Sequence, residues 1–331
     1  MKIAVTVAAY TLLTLAHAQA ASSFDNSSGG SGQAYPVKPI RLVVPFSPGG
    51  PVDIVGRIVA QKLTAALAQQ VIVDNRAGGG GNIAVEIVAK SVPDGYTLLM
   101  GANGTNAINP SLYPKLAVDA VKDLAPVGMV ASSPMILVTH PAVPASTVKD
   151  LVALAKARPG AINFASSGSG STAHLAAELF KSMAQINIVH IAYKGTGAAL
   201  TALLGGEIQM MFAGPGPVEP HVKAGRVKTL AVTSRAPSAL APGLPTLSES
   251  GLPGYEATAM IALLAPAGTP ASTATRLNQE VVKVLDLPEV KEKLLAAGTE
   301  VAGSSPRQLL QVMKSEMSKW EKIIRQAGIK E

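Results

Sequence analysis

The 331-residue chain carries 28 Lys and Arg against 21 Asp and Glu, a formal net charge of +7, and no cysteine. The missing thiols exclude disulfides, thiolate metal centres, a cysteine nucleophile and a lipid anchored on an N-terminal Cys. Over 280–331 the basic residues alternate with acids as on a solvated helix face, and only 4% of all residues are aromatic, so a nucleic-acid partner is excluded.

The first residues read as an address. Lys2, an apolar run over 3–16 and the small residues at Ala16-His17-Ala18 and Ala18-Gln19-Ala20 predict a secretory signal over 1–20. The run has about fourteen residues where a membrane span needs roughly 20, so it does not anchor. Residues 21–34, rich in Ser, Gly and Asn, predict a flexible leader. The expected product is a periplasmic protein without a lipid anchor. Roughly 300 residues remain, a length at which chains divide into two lobes.

From Ile40 onward, short β-branched runs alternate with longer helical periods, the pattern of an α/β fold with largely parallel strands. A strand over 40–44 halts at Pro45, and the spacing of Val55, Ile58, Val59, Leu63 and Leu67 predicts a helix over 52–67. Next come a strand over 71–73, a glycine loop over 78–81, a helix over 83–89 and a strand over 97–100. The apolar stretch 127–138, interrupted by Pro134, predicts a long strand or strand pair crossing between lobes.

A strand over 161–165 then leads through a Ser/Gly loop into a helix built on Leu175, Leu179, Phe180 and Met183, and a strand over 188–192 leads into a short helix over 198–204. Further strands are expected over 208–212 and 229–232. The apolar run 257–265 is expected to carry the chain back to the first lobe, and helices over 271–285, 289–297 and 306–327 close it. Both ends of the sequence thereby form lobe 1 (35–135 and 259–331), and the middle, 136–258, forms lobe 2.

Three times a strand delivers a Gly-rich loop to a helix N-terminus, at 47–52, 166–172 and 194–198. Helix ends leave N–H donors free with a partial positive charge behind them, so the expected occupant is an anion. A hydrogen bond to a charged group contributes about 1.5–3 kcal/mol, and micromolar affinity needs roughly 8 kcal/mol, so four or five donors suffice without a metal. The hydroxyls of Ser47, Ser167, Ser169, Ser171 and Thr172 add to them.

Enzymatic readings fare worse. Gly168-Ser169-Gly170-Ser171-Thr172-Ala173 matches a dinucleotide fingerprint, but the strand that should end in a ribose-binding acid ends in Tyr193-Lys194. No nucleophile elbow occurs, and His140, His174, His190 and His221 lack metal-ligand spacing. His174 reads either as an orienter of the serine loop or as a first-turn packing residue, and Asp53 with Arg57 reads as an i,i+4 pair that fixes the loop before them.

Taken together, PFSPGGPVDIVGR (45–57), VDNRAGGGGNIAVEIVAKSVPDGYTLLMG (73–101), NFASSGSGSTAHLAAELF (163–180), YKGTGAALTALLGGEIQMMF (193–212), LPTLSESGLPGYEA (244–257) and LLAPAGTP (263–270) resemble the Bug-type, or TctC-like, solute-binding proteins of tripartite tricarboxylate transporters. The resemblance implies a two-lobed, type II-like periplasmic binding protein, a Venus flytrap with its ligand cleft between the lobes. It implies a small carboxylate ligand held by loop backbone and ordered water, membrane permease subunits as partners, a monomer, and no cofactor, metal or catalytic residue.

Carried onto this chain, the first lobe contributes Phe46, Ser47, Pro48, Gly49, Gly50 and Asp53, and the second Ser167, Gly168, Ser169, Ser171 and Thr172. Thr105 and Asn106, and the loop at Tyr193 and Lys194, are further candidates. Where many members read Phe-Asp-Asn, this chain reads Phe212-Ala213-Gly214: if position 213 faces the cleft, the polarity there is altered and ligands without an ammonium group are expected, and if it points away the change is silent. Two readings from other classes stay open: a ligand-sensing module for a signalling partner, and an NAD(P)-dependent enzyme.

Overall fold

The computed structural model describes residues 35–113 and 115–329, and the expected signal and leader lie outside them. Ile40–Val44 (β1) stands between Val71–Asn75 (β2) and Thr97–Ala102 (β3), all three parallel. Leu124–Ser133 (β4) follows and ends just before Pro134, which has no N–H to give a ladder. Ile136–Thr139 (β5) already belongs to another sheet, so the long apolar stretch is a strand pair.

That second sheet continues with Asn163–Ser166 (β6), Val189–Ala192 (β7), Met210–Ala213 (β8) and Lys228–Val232 (β9), in the order β7-β6-β8-β5-β9. Ala259–Pro266 (β10) and Glu300–Val301 (β11) return to the first, whose order is β11-β4-β10-β3-β1-β2. Parallel pairing is confined to β1–β3 and β6–β8, whereas β5, β10 and β11 pair antiparallel. The expectation of largely parallel strands is corrected to two mixed sheets, because the strands next to each crossing enter from the opposite end.

Helices cover both sheets: Pro51–Leu67 (α1), Asn82–Ala89 (α2), Asn109–Leu112 (α3), Val148–Ala157 (α4), Thr172–Ala184 (α5), Thr196–Leu204 (α6), Pro215–Lys223 (α7), Ala271–Asp286 (α8), Pro288–Ala296 (α9) and Pro306–Ala327 (α10). A single π-helical turn, Gly104–Ile108, precedes α3. Sequence periodicity misses α4, and it misses α7 because Pro215, Pro217 and Pro220 disguise it. None of the helices among the described residues is long and apolar enough to cross a membrane.

Strand alternation divides the second sheet's core into two layers. Met210 and Phe212 face the cluster containing Phe164, Leu175 and Phe180, while Met211 and Ala213 face the one containing Ala199, Leu203 and Val218. Helix α10 starts from a capping box, with Ser305 and Gln308 satisfying each other's backbone N–H groups. Its Leu309 and Met313 pack in the first sheet's core and its Trp320, Ile323 and Ile324 in the second's. A buried side chain of this size contributes about 1.5–3 kcal/mol, so α10 ties the two halves together through apolar contacts in both cores. Beside it the two strand crossings are tied through Thr233, whose Oγ1 accepts from Met135 N at 2.7 Å and whose carbonyl accepts from Ala257 N at 3.0 Å.

Candidate ligand-binding site

Because β1, β2 and β3 are parallel, the segments that follow them gather at one edge of the first sheet. The β1–α1 loop exposes Ser47, Pro48 and Gly49 and half-buries Phe46 and Gly50. It is braced from below by Asp53, 2% exposed, whose carboxylate accepts from Gly49 N, Arg57 Nε and Asn75 Nδ2, each at 2.9 Å. Asn75 also donates to Phe46 O at 2.9 Å and accepts from an Arg57 terminal nitrogen at 3.1 Å. Burial alone would raise the Asp53 pKa, but the hydrogen bonds from Arg57, Gly49 and Asn75 and the guanidinium charge hold it below the usual carboxylate value.

The glycine run seals the back of this loop. Gly81, at φ +92°, lies so close to the neighbouring turn that a Cβ would sit 2.5 Å from Thr105 Cγ2 and 3.0 Å from Pro45 Cβ. Only glycine fits both the conformation and the contact. Asn109 Nδ2 donates to Gly80 O at 3.0 Å and fastens the run to α3.

At the matching edge of the second sheet, the parallel strands β6, β7 and β8 end in Ser166, Ala192 and Ala213. Ser166 Oγ accepts from Gly168 N at 3.2 Å, donates to Gly168 O at 2.9 Å and lies 2.6 Å from His190 Nε2. Gly170 N donates to His174 Nδ1 at 3.1 Å, and the His174 and His190 rings stack with centroids 3.7 Å apart. Ser171 caps α5, its hydroxyl accepting from His174 N at 3.3 Å. The β7–α6 loop joins this cluster through Tyr193 N to Ser166 O at 3.0 Å and Gly195 N to Ser167 O at 3.3 Å.

Three helices that start at these two edges, α1 after Gly50, α6 after Gly195 and α7 after Gly214, have no side-chain cap among the described residues; α6 offers its first N–H groups, whereas α1 opens on Pro51 and, with Pro215 and Pro217, α7 keeps only the N–H of Gly216 among its first three residues. The edges also touch: a Cβ on Gly170 would lie 3.0 Å from Leu112 Cδ1 at the end of α3.

Residues 55–329 match the model of the tripartite tricarboxylate transporter family receptor. The chain belongs to this family. Among its relatives is the protein BugT of Bordetella pertussis (strain Tohama I), 37% identical over 91% of this chain and 92% of BugT. Solved structures of the same shape include R. palustris Rpa4515 with adipate, 36% identical, TM-score 0.72, covering 89% of this chain and 99% of the other. A second is MatC of Rhodopseudomonas palustris with bound malate, 31% identical, TM-score 0.69, covering 88% and 100%. The two sheets with their helices are thus the two lobes of a Bug-type periplasmic binding protein.

In this receptor the loop residues Phe46, Ser47, Pro48, Gly49 and Gly50 sit together at one edge, and Ser167, Gly168, Ser169, Ser171, Thr172, Tyr193 and Lys194 at the other. Lys194 is exposed and has no ion-pair partner among the described residues. Asp53 braces rather than reaches outward, since all its contacts run to Gly49, Arg57 and Asn75. Thr105 and Asn106 are 2% and 0% exposed: the threonine hydroxyl engages Ala102, and the Asn106 amide lies against Gly101. Ala213 turns its methyl into the apolar layer beneath α6 and α7.

Sequence reading did not single out Asn75 or the part played by His190, and it placed Ser166 at the start of the 166–172 loop without naming it as a site residue. Asn75 ends β2, whose following loop was not among the three selected. The partners of His190 are set by strand pairing and carry no local signature.

Proposed function

We propose that this chain is a periplasmic receptor that closes its lobes, 35–135 with 259–331 and 136–258, around a small carboxylate and delivers it to the membrane permease subunits of a tripartite tricarboxylate transporter. It acts as a monomer, exported by the signal over 1–20. The observation that carries this reading is the meeting of two loop edges, one from each sheet, at Gly170 and Leu112, with uncapped helix starts on both. Its electrostatics suit an anion: the one carboxylate among the candidate residues, Asp53, is already neutralised by Arg57, and Lys194 adds an exposed cation without an ion-pair partner among the described residues. Relatives solved with adipate and with malate agree in ligand class. Ser166 Oγ lies 2.6 Å from His190 Nε2, but Ser166 is 0% exposed and its hydroxyl is engaged by Gly168 of its own loop, so the reading is binding rather than turnover.

A thermal-shift screen of the purified protein against mono-, di- and tricarboxylates, adipate and malate first, tests the reading. At 100 times its dissociation constant a ligand stabilises by about 2.7 kcal/mol, several degrees of melting temperature. At least one carboxylate is expected to do so. A response to sugars or amines with none to carboxylates overturns the proposal.

A further inference from the structure

The two stacked histidines grip the second loop at both ends. His190 reaches Ser166, where the loop starts, and His174 reaches Gly170, just before α5. A backbone N–H is a donor only, so the ring nitrogen that receives Gly170 N is unprotonated, and the proton of a neutral His174 is on Nε2. That nitrogen faces Glu178 Oε1 at 3.9 Å. The serine hydroxyl has a single proton, and when Gly168 O receives it His190 Nε2 is the donor to Ser166. The Phe164 ring lies against both, with centroids 4.9 Å from His190 and 6.1 Å from His174, so β6 supports the pair.

We propose that the His174–His190 stack is the positioning element of the second ligand loop, and that it works only with both rings neutral and His174 in the Nε2–H form. This rests on the reading of the 166–172 loop as a ligand loop. A proton on His174 Nδ1 would set two donors against each other at Gly170 and place like charge against His190. The charged and titratable groups facing His174 are His190 from β7 and, on its own helix, Glu178 and Lys181. Burial, with His190 and Lys181 adding to it, pushes the His174 pKa down to about 4, and burial also lowers that of His190.

Histidine-selective 15N spectra of the whole protein read the tautomer directly. The expected pattern is an acceptor-type Nδ1 on His174, retained down to about pH 4; a proton on Nδ1 at pH 7 overturns the proposal. Two variants then separate positioning from bulk. His174→Asn places an amide oxygen near the position of Nδ1 without a titrating group, while His174→Phe keeps the stack and removes the acceptor.

Exchange of the Gly170 amide should accelerate by about tenfold or more in His174→Phe and stay near wild type in His174→Asn. Divided by the intrinsic amide rate at each pH, it should rise toward pH 4 in wild type and not in His174→Asn. Equal exchange in all three proteins overturns the clamp. With adipate as probe, the same pattern is expected in affinity, about tenfold weaker for Phe and within about threefold for Asn. Absence of adipate binding to the wild type would count against the ligand reading alone, because the exchange data judge the clamp without a ligand.

Discussion

The two loop edges of this receptor solve one problem with opposite electrostatics. The first is braced by a buried carboxylate with an arginine and an amide around it, and the second by two neutral imidazoles and a serine. Both devices satisfy loop groups from the inside, which leaves the outward N–H groups of the helix starts unpaired. Neither leaves net negative charge behind the loop: Asp53 is matched by Arg57, and the histidines are held neutral by burial. A site that must attract an anion through backbone dipoles is thereby kept stiff without opposing its ligand.

Removing the carboxylate is the harshest way to break this comparison. Asp53→Ala strands Gly49 N and the Asn75 amide together, while Arg57, more than half exposed, returns to water. We expect a loss of about 2–3 kcal/mol in chemical denaturation and little remaining ligand affinity. Asp53→Asn, with its oxygen toward Gly49 N and Arg57, keeps those two bonds and sets its NH2 against Asn75 Nδ2, so it should lose about half as much. If both variants match wild type in stability, the brace is ornamental and the loop is held some other way.

Acid separates the edges next. His174 titrates at about 4 in the folded state against 6.5 unfolded, so the unfolded chain takes up the proton first and stability falls as pH drops from about 6.5 to about 4. For a group this buried the loss amounts to roughly 3 kcal/mol at the low end. Glu178 opposes it, because burial raises its pKa and its protonation on acidification favours the folded state. Asp53 has the usual carboxylate sign: its contribution stays intact above its unfolded value of 3.8 and disappears only below it. The stability difference between wild type and His174→Asn, followed by urea denaturation from pH 7 to 4, should therefore shrink as pH falls. A constant difference across that range would mean that His174 titrates alike folded and unfolded.

Much of this was legible in the sequence. Ile40–Val44, α1, α5 and the three C-terminal helices follow from apolar spacing, and the return of β10 to the first sheet follows from an apolar run too short to span a membrane. The pair Asp53 and Arg57 follows from a separation of four on one helix. What escaped depends on contacts distant in sequence. Asn75 reaches Phe46 across 29 positions and Asp53 across 22, and the histidine stack forms only once β7 lies beside β6. Thr105 and Asn106 entered as candidates through the family resemblance alone, and their burial, 2% and 0% exposed in a π-helical turn, has no local signature in the sequence.

The mildest change for stability is expected to be among the most damaging for binding. Gly50 has φ −75° and ψ 163°, extended backbone that any residue adopts, and a Cβ there would meet only Ser47 O, at 3.5 Å. Gly50→Val should fold with a change within about 1 kcal/mol, the span separating glycine from valine at a helix N-cap. Its added methyls would nevertheless stand over the first N–H groups of α1, where a carboxylate must come within hydrogen-bond distance. Losing two charge-assisted hydrogen bonds of about 1.5–3 kcal/mol each would weaken binding by roughly a hundredfold or more. Ser169→Pro is the counterpart on the exposed tip of the other loop, removing one N–H from that edge. Calorimetry of both variants with a carboxylate identified in the screen compares the edges directly. Comparable losses mean that both lobes hold the anion; a loss confined to Gly50→Val gives that role to the first edge, and unchanged affinity in both removes the ligand from these loops altogether.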